Sequence, residues 1–247
     1  PWGLFELSIH RRQDGLHIVR ESIPARDGGV PLYVLTVPSK NHGTDVEVAY
    51  NNFAKGRNKP HITCSDQQAI FTQLTSPAAF ADRHSEARRT IPQVVRRLER
   101  ALSSILFLDA VPARMRDYSH PMDQRLHGDG GNLSSVLWRL WGQDATAHQE
   151  PFVSQRQAIL SFIQSLPEQD ISGLDFLEEP RGGVMVRLQE TFGGIERKYD
   201  ASLLSDGTLR VLAIAAAMLS AEPGSLVVIE EIDNGVHPSR ARHLLEQ

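Results

Sequence analysis

Residues 204–231 decide the fold of this chain: they begin Leu204-Ser-Asp-Gly-Thr208 and end Leu226-Val-Val-Ile-Glu-Glu231. Ser205 is a favoured helix N-cap residue, and the largely apolar segment that follows, to about residue 221, predicts a buried helix. Glu222-Pro-Gly224 ends that helix, and the apolar run over residues 225–229 predicts a buried parallel strand. We therefore predict an α/β fold.

The predicted strand ends in two adjacent carboxylates, Glu230 and Glu231. A helix of about 21 Å and a strand that retraces about 20 Å return this acid pair to the edge where Ser205 caps the helix. A helix N-terminus attracts phosphate, and paired acids favour a bound cation such as magnesium. Taken singly, Ser-Asp-Gly is more often a turn and Glu-Glu a solvated loop, but the two in this order favour a phosphate and metal site.

Three segments carry a resemblance to a known family: Leu204–Arg210, Val227–Glu231 and Asn234-Gly-Val-His-Pro238. They resemble the ABC-type ATPase head of the SMC, RecF and OLD-like group. More narrowly, they are similar to bacterial AAA family ATPases with RecF-like heads, many of them linked to phage defence or DNA repair. The resemblance is strong over residues 180–247, fainter over Phe107–Pro112 and Asp129–Leu133, and weak before residue 100.

The resemblance implies an ATP-binding and ATP-hydrolysing head that forms a homodimer or a higher homo-oligomer around ATP. Ser205, Asp206 and Gly207 match the signature motif, which in that family contacts the γ-phosphate held by a partner subunit. A nuclease or another effector is a further partner that the resemblance implies, with DNA as a possible ligand. The single cysteine, Cys64, leads us to expect a cytoplasmic location.

The resemblance also assigns roles to the acid pair. Glu230 matches the Walker B acid that holds Mg²⁺, and Glu231 matches the general base that orients the attacking water. His237 follows them in a D-loop-like segment and is a second candidate catalytic residue. A structural role explains His237 equally well: it precedes Pro238, and proline is favoured at the first position of a helix.

A phosphate-binding loop of the Walker A type is not found in this sequence. Such a loop needs a lysine directly after a glycine, and none of the four lysines has one: Lys40, Lys55, Lys59 and Lys198. We expect these residues to be an internal portion of a longer polypeptide, cut at both ends. A natural pseudo-ATPase is the alternative, although it would have little reason to retain Glu231.

Glycine, proline and polar turn residues divide the sequence into three parts. The resemblance implies that these parts belong to a single ATPase head. Short alternating apolar runs over residues 1–63 predict an antiparallel β meander, with a loop at residues 51–63. Residues 64–106 read as an Arg-rich helical insertion with a break near Pro92. Residues 107–247 form the parallel-sheet nucleotide lobe, with helices at 133–141 and 154–166 and a hairpin over 184–199.

The arginines of the helical insertion are a candidate nucleic-acid surface. Arg96, Arg97 and Arg100 fall on one helical face and could contact DNA or RNA phosphates. A solvated helix with interspersed glutamates is the more ordinary explanation. The overall net charge of −4 argues against a generally basic nucleic-acid binder.

Composition sets loose bounds, and the resemblance leaves two classes of function open. A single cysteine, Cys64, excludes an internal disulfide and fits a reducing compartment, and no apolar run is long enough to span a membrane. The first class is an ATPase, and the second is a non-catalytic, nucleotide-gated scaffold or clamp that recruits an effector. The upstream sequence and a measurement of phosphate release would distinguish them.

Overall fold

The computed structural model describes residue 2 and residues 4–40, 43–56, 58–123, 125–142, 152–164 and 171–231. The chain divides into two compact units, which we call unit 1 and unit 2, with the division between Ser103 and Ser104. Within the described ranges, no helix combines the length and the apolar character that crossing a bilayer would require.

Unit 1 contains a five-stranded antiparallel sheet in the order β1-β2-β3-β4-β5. Its strands are β1 Glu6–Arg12, β2 Gly15–Ser22, β3 Tyr33–Val37, β4 Asp45–Tyr50 and β5 His61–Ser65. The predicted meander is confirmed, since each strand pairs with its neighbour in sequence. The prediction of a loop throughout residues 51–63 was wrong, because β5 starts at His61 and pairs along β4.

The helices of unit 1 share one hydrophobic core with that sheet. They are α1 Ile70–Gln73 and α2 Ser85–Ser103, with a 3-10 turn at Pro77–Ala79 between them. The predicted break near Pro92 was wrong: α2 continues through this proline. Pro92 is buried, as are Ile91 and Val95 on the same helix, and burial of apolar surface offsets the loss of one backbone donor.

Unit 2 begins with a short strand and three helices: β6 Leu106–Leu108, α3 Pro112–Met115, α4 Leu133–Trp141 and α5 Phe152–Gln164. The prediction of a helix at 133–141 is confirmed, and the second helix starts two residues earlier than predicted. Asn132 precedes α4 and is of a residue type favoured at helix N-caps, but its side chain makes no capping hydrogen bond. That amide instead organises the loop before the helix, as described below.

A three-stranded antiparallel sheet follows, in the order β7-β8-β9, from Ile171–Glu178, Val184–Phe192 and Ile195–Asp200. The predicted hairpin is β8–β9, and the sequence analysis did not identify β7. Gly193 and Gly194 form the turn with φ values of 59° and 80°. Both central residues of such a two-residue turn need positive φ, which explains the glycine pair.

The stretch that opened the sequence analysis folds as helix α6, Asp206–Ser220, and strand β10, Val227–Ile229. The nine buried residues of α6 include Leu209, Leu212 and Ile214, so the helix is the centre of the core of unit 2. Strand β10 pairs with β6 in parallel, Ile229 opposite Leu108. The predicted α/β arrangement is thus confirmed as far as its antiparallel sheets and its parallel strand pair are concerned.

Candidate functional site

The start of α6 has the geometry of a capped helix N-terminus. The Ser205 hydroxyl accepts a 3.1 Å hydrogen bond from the Thr208 backbone N–H and lies 2.8 Å from the Thr208 hydroxyl. Ser205 and Asp206 are exposed, and Gly207 is half-buried. The first N–H groups of a helix have no acceptor within it, so this exposed turn is suited to an anion.

The acid pair lies at the carboxyl end of the parallel strands. Glu230 directly follows β10, and its backbone N–H donates a 2.9 Å hydrogen bond to the Leu108 carbonyl at the end of β6. Asp109, which the sequence analysis did not single out, follows β6 at the same edge. All three acidic residues, Asp109, Glu230 and Glu231, are exposed. In open α/β sheets this edge is where ligands bind.

The backbone at Glu231 adopts the left-handed conformation, with φ of 47°. This conformation is unfavourable for most side chains other than glycine, asparagine and aspartate. The chain therefore departs from the strand direction immediately after Glu230. Unusual backbone conformations of this kind concentrate at functional sites, which makes Glu231 a residue of interest on structural grounds alone.

Arg116 contacts the segment that leads into α6 and was not recognised from the sequence. It follows α3, and its guanidinium donates hydrogen bonds to the carbonyl oxygens of Leu204 at 2.6 Å and Ser202 at 3.1 Å. Its other terminal nitrogen pairs with the Asp206 carboxylate at 2.5 Å. One arginine thus holds the backbone just before the helix and the first residue of the helix itself.

A tight loop over residues 125–132 supports the connection between β6 and α3. The Asn132 side chain accepts from the His127 N–H at 2.8 Å and donates to the Arg125 carbonyl at 2.6 Å. A Cβ atom on Gly128 would lie 2.7 Å from the Phe107 carbonyl oxygen, so only glycine permits this approach. The segment with the fainter resemblance, Asp129–Leu133, overlaps this loop.

The loop is attached to the connection by backbone hydrogen bonds. Asp109 N–H donates to the Gly128 carbonyl at 2.8 Å, and Val111 N–H donates to the Asp129 carbonyl at 3.0 Å. An open pocket of about 380 Å³ lies beside them, lined by Ala113, Arg114, Asp117, His127, Asp129 and Gly131. The backbone from β6 to α3 is therefore fixed on the side of the loop.

The remaining predicted site residues are in different places. His237 lies outside the described residues. Arg96, Arg97 and Arg100 are exposed on α2 of unit 1, where Arg96 donates a 2.8 Å hydrogen bond to the Thr75 carbonyl. The structure thus places Ser205, Asp206, Gly207, Glu230 and Glu231 in unit 2 and the three arginines in unit 1.

A family model described as "AAA domain, putative AbiEii toxin, Type IV TA system" matches residues 66–247. The chain belongs to this family, because the match covers most of its length. Membership supports a nucleotide-binding, ATPase-like domain, and AAA domains in general bind ATP with Mg²⁺. No curated protein and no solved structure matches the chain significantly.

The residues present fit a nucleotide-bound magnesium ion. Glu230 and Glu231 offer exposed carboxylate oxygens, which are the ligands that Mg²⁺ prefers. Over the described ranges, no group of three or more His, Cys, Asp or Glu side chains is arranged to hold a metal on its own. Magnesium in phosphate sites commonly uses only one or two carboxylates and completes its shell with phosphate and water.

Proposed function

We propose that this chain is part of an ABC-type ATPase head of the SMC, RecF and OLD-like group, which binds and hydrolyses ATP between two copies of itself. Unit 2 would supply the signature motif, Ser205, Asp206 and Gly207, to the nucleotide held by the other copy. Glu230 and Glu231 would serve the nucleotide held by the same copy. His237 is a further candidate in this site, through the resemblance alone.

One observation carries the proposal: a single short lobe presents both an exposed, serine-capped helix start and an exposed acid pair after a parallel strand. Ser205 also caps the helix, but exposed carboxylates add little to the free energy of unfolding. None of Ser205, Glu230 and Glu231 belongs to the hydrophobic core of unit 2. Their joint presence is explained by an anionic ligand that carries a divalent cation.

The proposed chemistry is hydrolysis of the bond between the β- and γ-phosphates. Glu231 would accept a hydrogen bond from a water molecule and align it behind the γ-phosphorus. The water oxygen bonds to that phosphorus, the bond to the bridging oxygen breaks, and ADP and phosphate leave. Glu231 would take the proton that the water releases, and Glu230 would hold magnesium, which would neutralise charge on the phosphate oxygens.

Replacement of Glu231 by Gln in the complete polypeptide tests the proposal. The amide keeps the size of the side chain but cannot take the proton, so we expect ATP to bind, the dimer to persist and turnover to fall by about 100-fold or more. Phosphate release and the molar mass with ATP are the measurements. Glu178→Gln, at an exposed acid at the end of β7 in unit 2, is the matched control. Unchanged hydrolysis by Glu231→Gln would refute the assignment.

A non-catalytic, nucleotide-gated scaffold remains the second candidate function. It predicts a dimer that forms with ATP but releases no phosphate, with or without DNA. In either case we propose a role in phage defence or DNA repair, with an effector partner. The family description, which names a toxin of a toxin–antitoxin system, is compatible with a defence role.

A further inference from the structure

We propose that Arg116 is a positioning residue that couples the acid edge of unit 2 to the signature loop, Leu204–Gly207. This inference rests on the proposed function, because it assigns a regulatory connection within that site. It goes beyond the resemblance, which gave no role to Arg116.

The anchor of Arg116 is a short connection with fixed ends. Glu230 N–H is bonded to the Leu108 carbonyl at the end of β6, and Asp109, directly after that strand, is bonded to the loop at Gly128. Helix α3 then begins, and Met115, the last residue of α3, is buried in the core of unit 2. Six residues thus lie between Asp109 at the acid edge and Arg116. Hydrogen bonds or core packing fix this connection at several points.

What Arg116 holds is the backbone that sets the direction of the signature loop. Its hydrogen bonds go to the carbonyls of Ser202 and Leu204, to the Ala201 carbonyl at a longer 3.4 Å, and to the Asp206 carboxylate. These acceptors lie on both sides of Ser205. A planar guanidinium can satisfy several acceptors in a fixed geometry, and a lysine ammonium cannot reproduce that arrangement. A displacement of α3 would therefore move the loop that must meet the phosphate.

The charge of Arg116 has a second effect. Asp206 places a carboxylate in the first turn of the helix, where a γ-phosphate would approach. Two anions repel, and pairing with Arg116 neutralises Asp206. Positioning and neutralisation are separable, because removal of the Asp206 charge relieves repulsion without restoring the hydrogen bonds to the carbonyls of Ser202 and Leu204.

The test uses the complete polypeptide with the Glu231→Gln change, which is expected to accumulate the ATP-bound dimer. In that background we expect Arg116→Ala to weaken ATP-driven dimerisation by about 10- to 100-fold, as loss of charged hydrogen bonds predicts. Binding of ATP to the monomer should be unchanged, because the signature loop acts on the other copy. With Glu231 restored, Arg116→Ala should lower kcat and leave KM for ATP nearly unchanged.

Two further variants separate the explanations. Arg116→Lys should recover part of the dimerisation, and the double variant Arg116→Ala/Asp206→Asn should stay defective because it restores charge balance but no positioning. Faster hydrogen exchange of the amides of residues 202–208 in Arg116→Ala would show loosening of the loop directly. Arg125→Ala is the control, since Arg125 pairs with Glu222 through exposed side chains in the same unit.

The outcomes are distinguishable. If the Glu231→Gln parent neither binds ATP nor dimerises with it, the proposed function fails. If the parent dimerises and Arg116→Ala dimerises equally well, the coupling role of Arg116 is refuted while the proposed function stands. Full recovery in the double variant would also refute positioning, because neutralisation alone would then explain the effect. Should Arg116→Ala not fold, Arg116→Lys and its exchange rates decide between the same outcomes.

Discussion

The Tyr33 hydroxyl donates a 2.7 Å hydrogen bond to the Glu21 carboxylate, and both side chains are fully buried in unit 1. The same carboxylate accepts the backbone N–H groups of Ile70 and Phe71, each at 2.7 Å. Glu21 therefore anchors the start of α1 to strand β2. Three donors aimed at one buried carboxylate explain how a glutamate is tolerated in the core.

Replacement of Glu21 by Gln should destabilise the protein by about 2–3 kcal/mol, measured by urea denaturation at pH 7. The amide presents an N–H group where a backbone N–H donates, so one donor loses its acceptor. Tyr33→Phe removes one hydrogen bond and leaves the carboxylate, and should cost about 1.5 kcal/mol. Equal stability of Glu21→Gln and the unchanged protein would contradict this account.

The pH dependence of stability provides a separate check on Glu21. Burial raises the pKa of Glu21 above its usual 4.5, although hydrogen bonds from Tyr33, Ile70 and Phe71 oppose the effect. The folded state then binds the proton more tightly than the unfolded state does. The contribution of Glu21 to stability should therefore fall as the pH rises from about 4.5 through the folded-state pKa. Stability of Glu21→Gln should lack this dependence.

Asp175 is the opposite case, in the sheet β7-β8-β9. Burial alone would raise the pKa of Asp175, but hydrogen bonds from Arg187, Lys198 and Gln189 outweigh it and lower the pKa to about 2. The stabilisation is present above the usual value of 3.8 and is lost as the pH falls through about 2.

Asp175→Asn should lower the free energy of unfolding at pH 7 by about 2 kcal/mol. Between pH 4 and pH 2 the unchanged protein should lose that amount, and the variant should not. Acid unfolding followed by circular dichroism measures both. Glu178→Gln, an exposed position of the same strand, is the control. If the unchanged protein and Asp175→Asn lost the same stability between pH 4 and pH 2, Asp175 would make no contribution to the acid dependence.

Ser205→Asp separates the structural and the functional role of the cap. Aspartate is as good an N-cap as serine and its charge suits the helix dipole, so thermal stability should be retained. The same carboxylate would repel a γ-phosphate, so ATP-driven dimerisation and turnover should fall by about tenfold or more. Asp200, which caps the preceding 3-10 turn, gives the control Asp200→Asn. Normal turnover of Ser205→Asp would exclude a phosphate contact at this residue.

Simultaneous replacement of Arg96, Arg97 and Arg100 by Ala tests α2 as a nucleic-acid surface. If these arginines contact phosphates, DNA binding should weaken and the slope of log K against log salt should fall by about two to three. Arg89→Ala, an exposed arginine of the same helix, is the control. Binding that is unchanged in both affinity and salt slope would favour the solvated-helix explanation.

The segments that the sequence predicted well are those whose signals are local. Helix α6 begins where Ser205 caps it, and the turn between β8 and β9 falls on the glycine pair. Periodicity and capping act over a few residues, so they are visible in a single sequence. The strand after the helix was also predicted, although it is shorter, Val227–Ile229 instead of 225–229.

The errors have a common physical cause, which is that distant contacts override local preference. Pro92 remains within α2 because its ring packs in a core, and β5 forms because β4 supplies its partners. Asn132 has good capping chemistry but is used by the loop before α4. Arg116 contacts residues 86–90 positions away, and no spacing rule connects it to them.

The left-handed backbone at Glu231 has a consequence for mutational libraries. Residues with branching at Cβ, such as valine or isoleucine, are disfavoured there whatever their chemistry, and asparagine or glycine fit the conformation without a carboxylate. A survey that compares only alanine with glutamate would confuse geometry with proton transfer. Ranking all twenty residues by yield and by turnover would keep those two demands on the position apart.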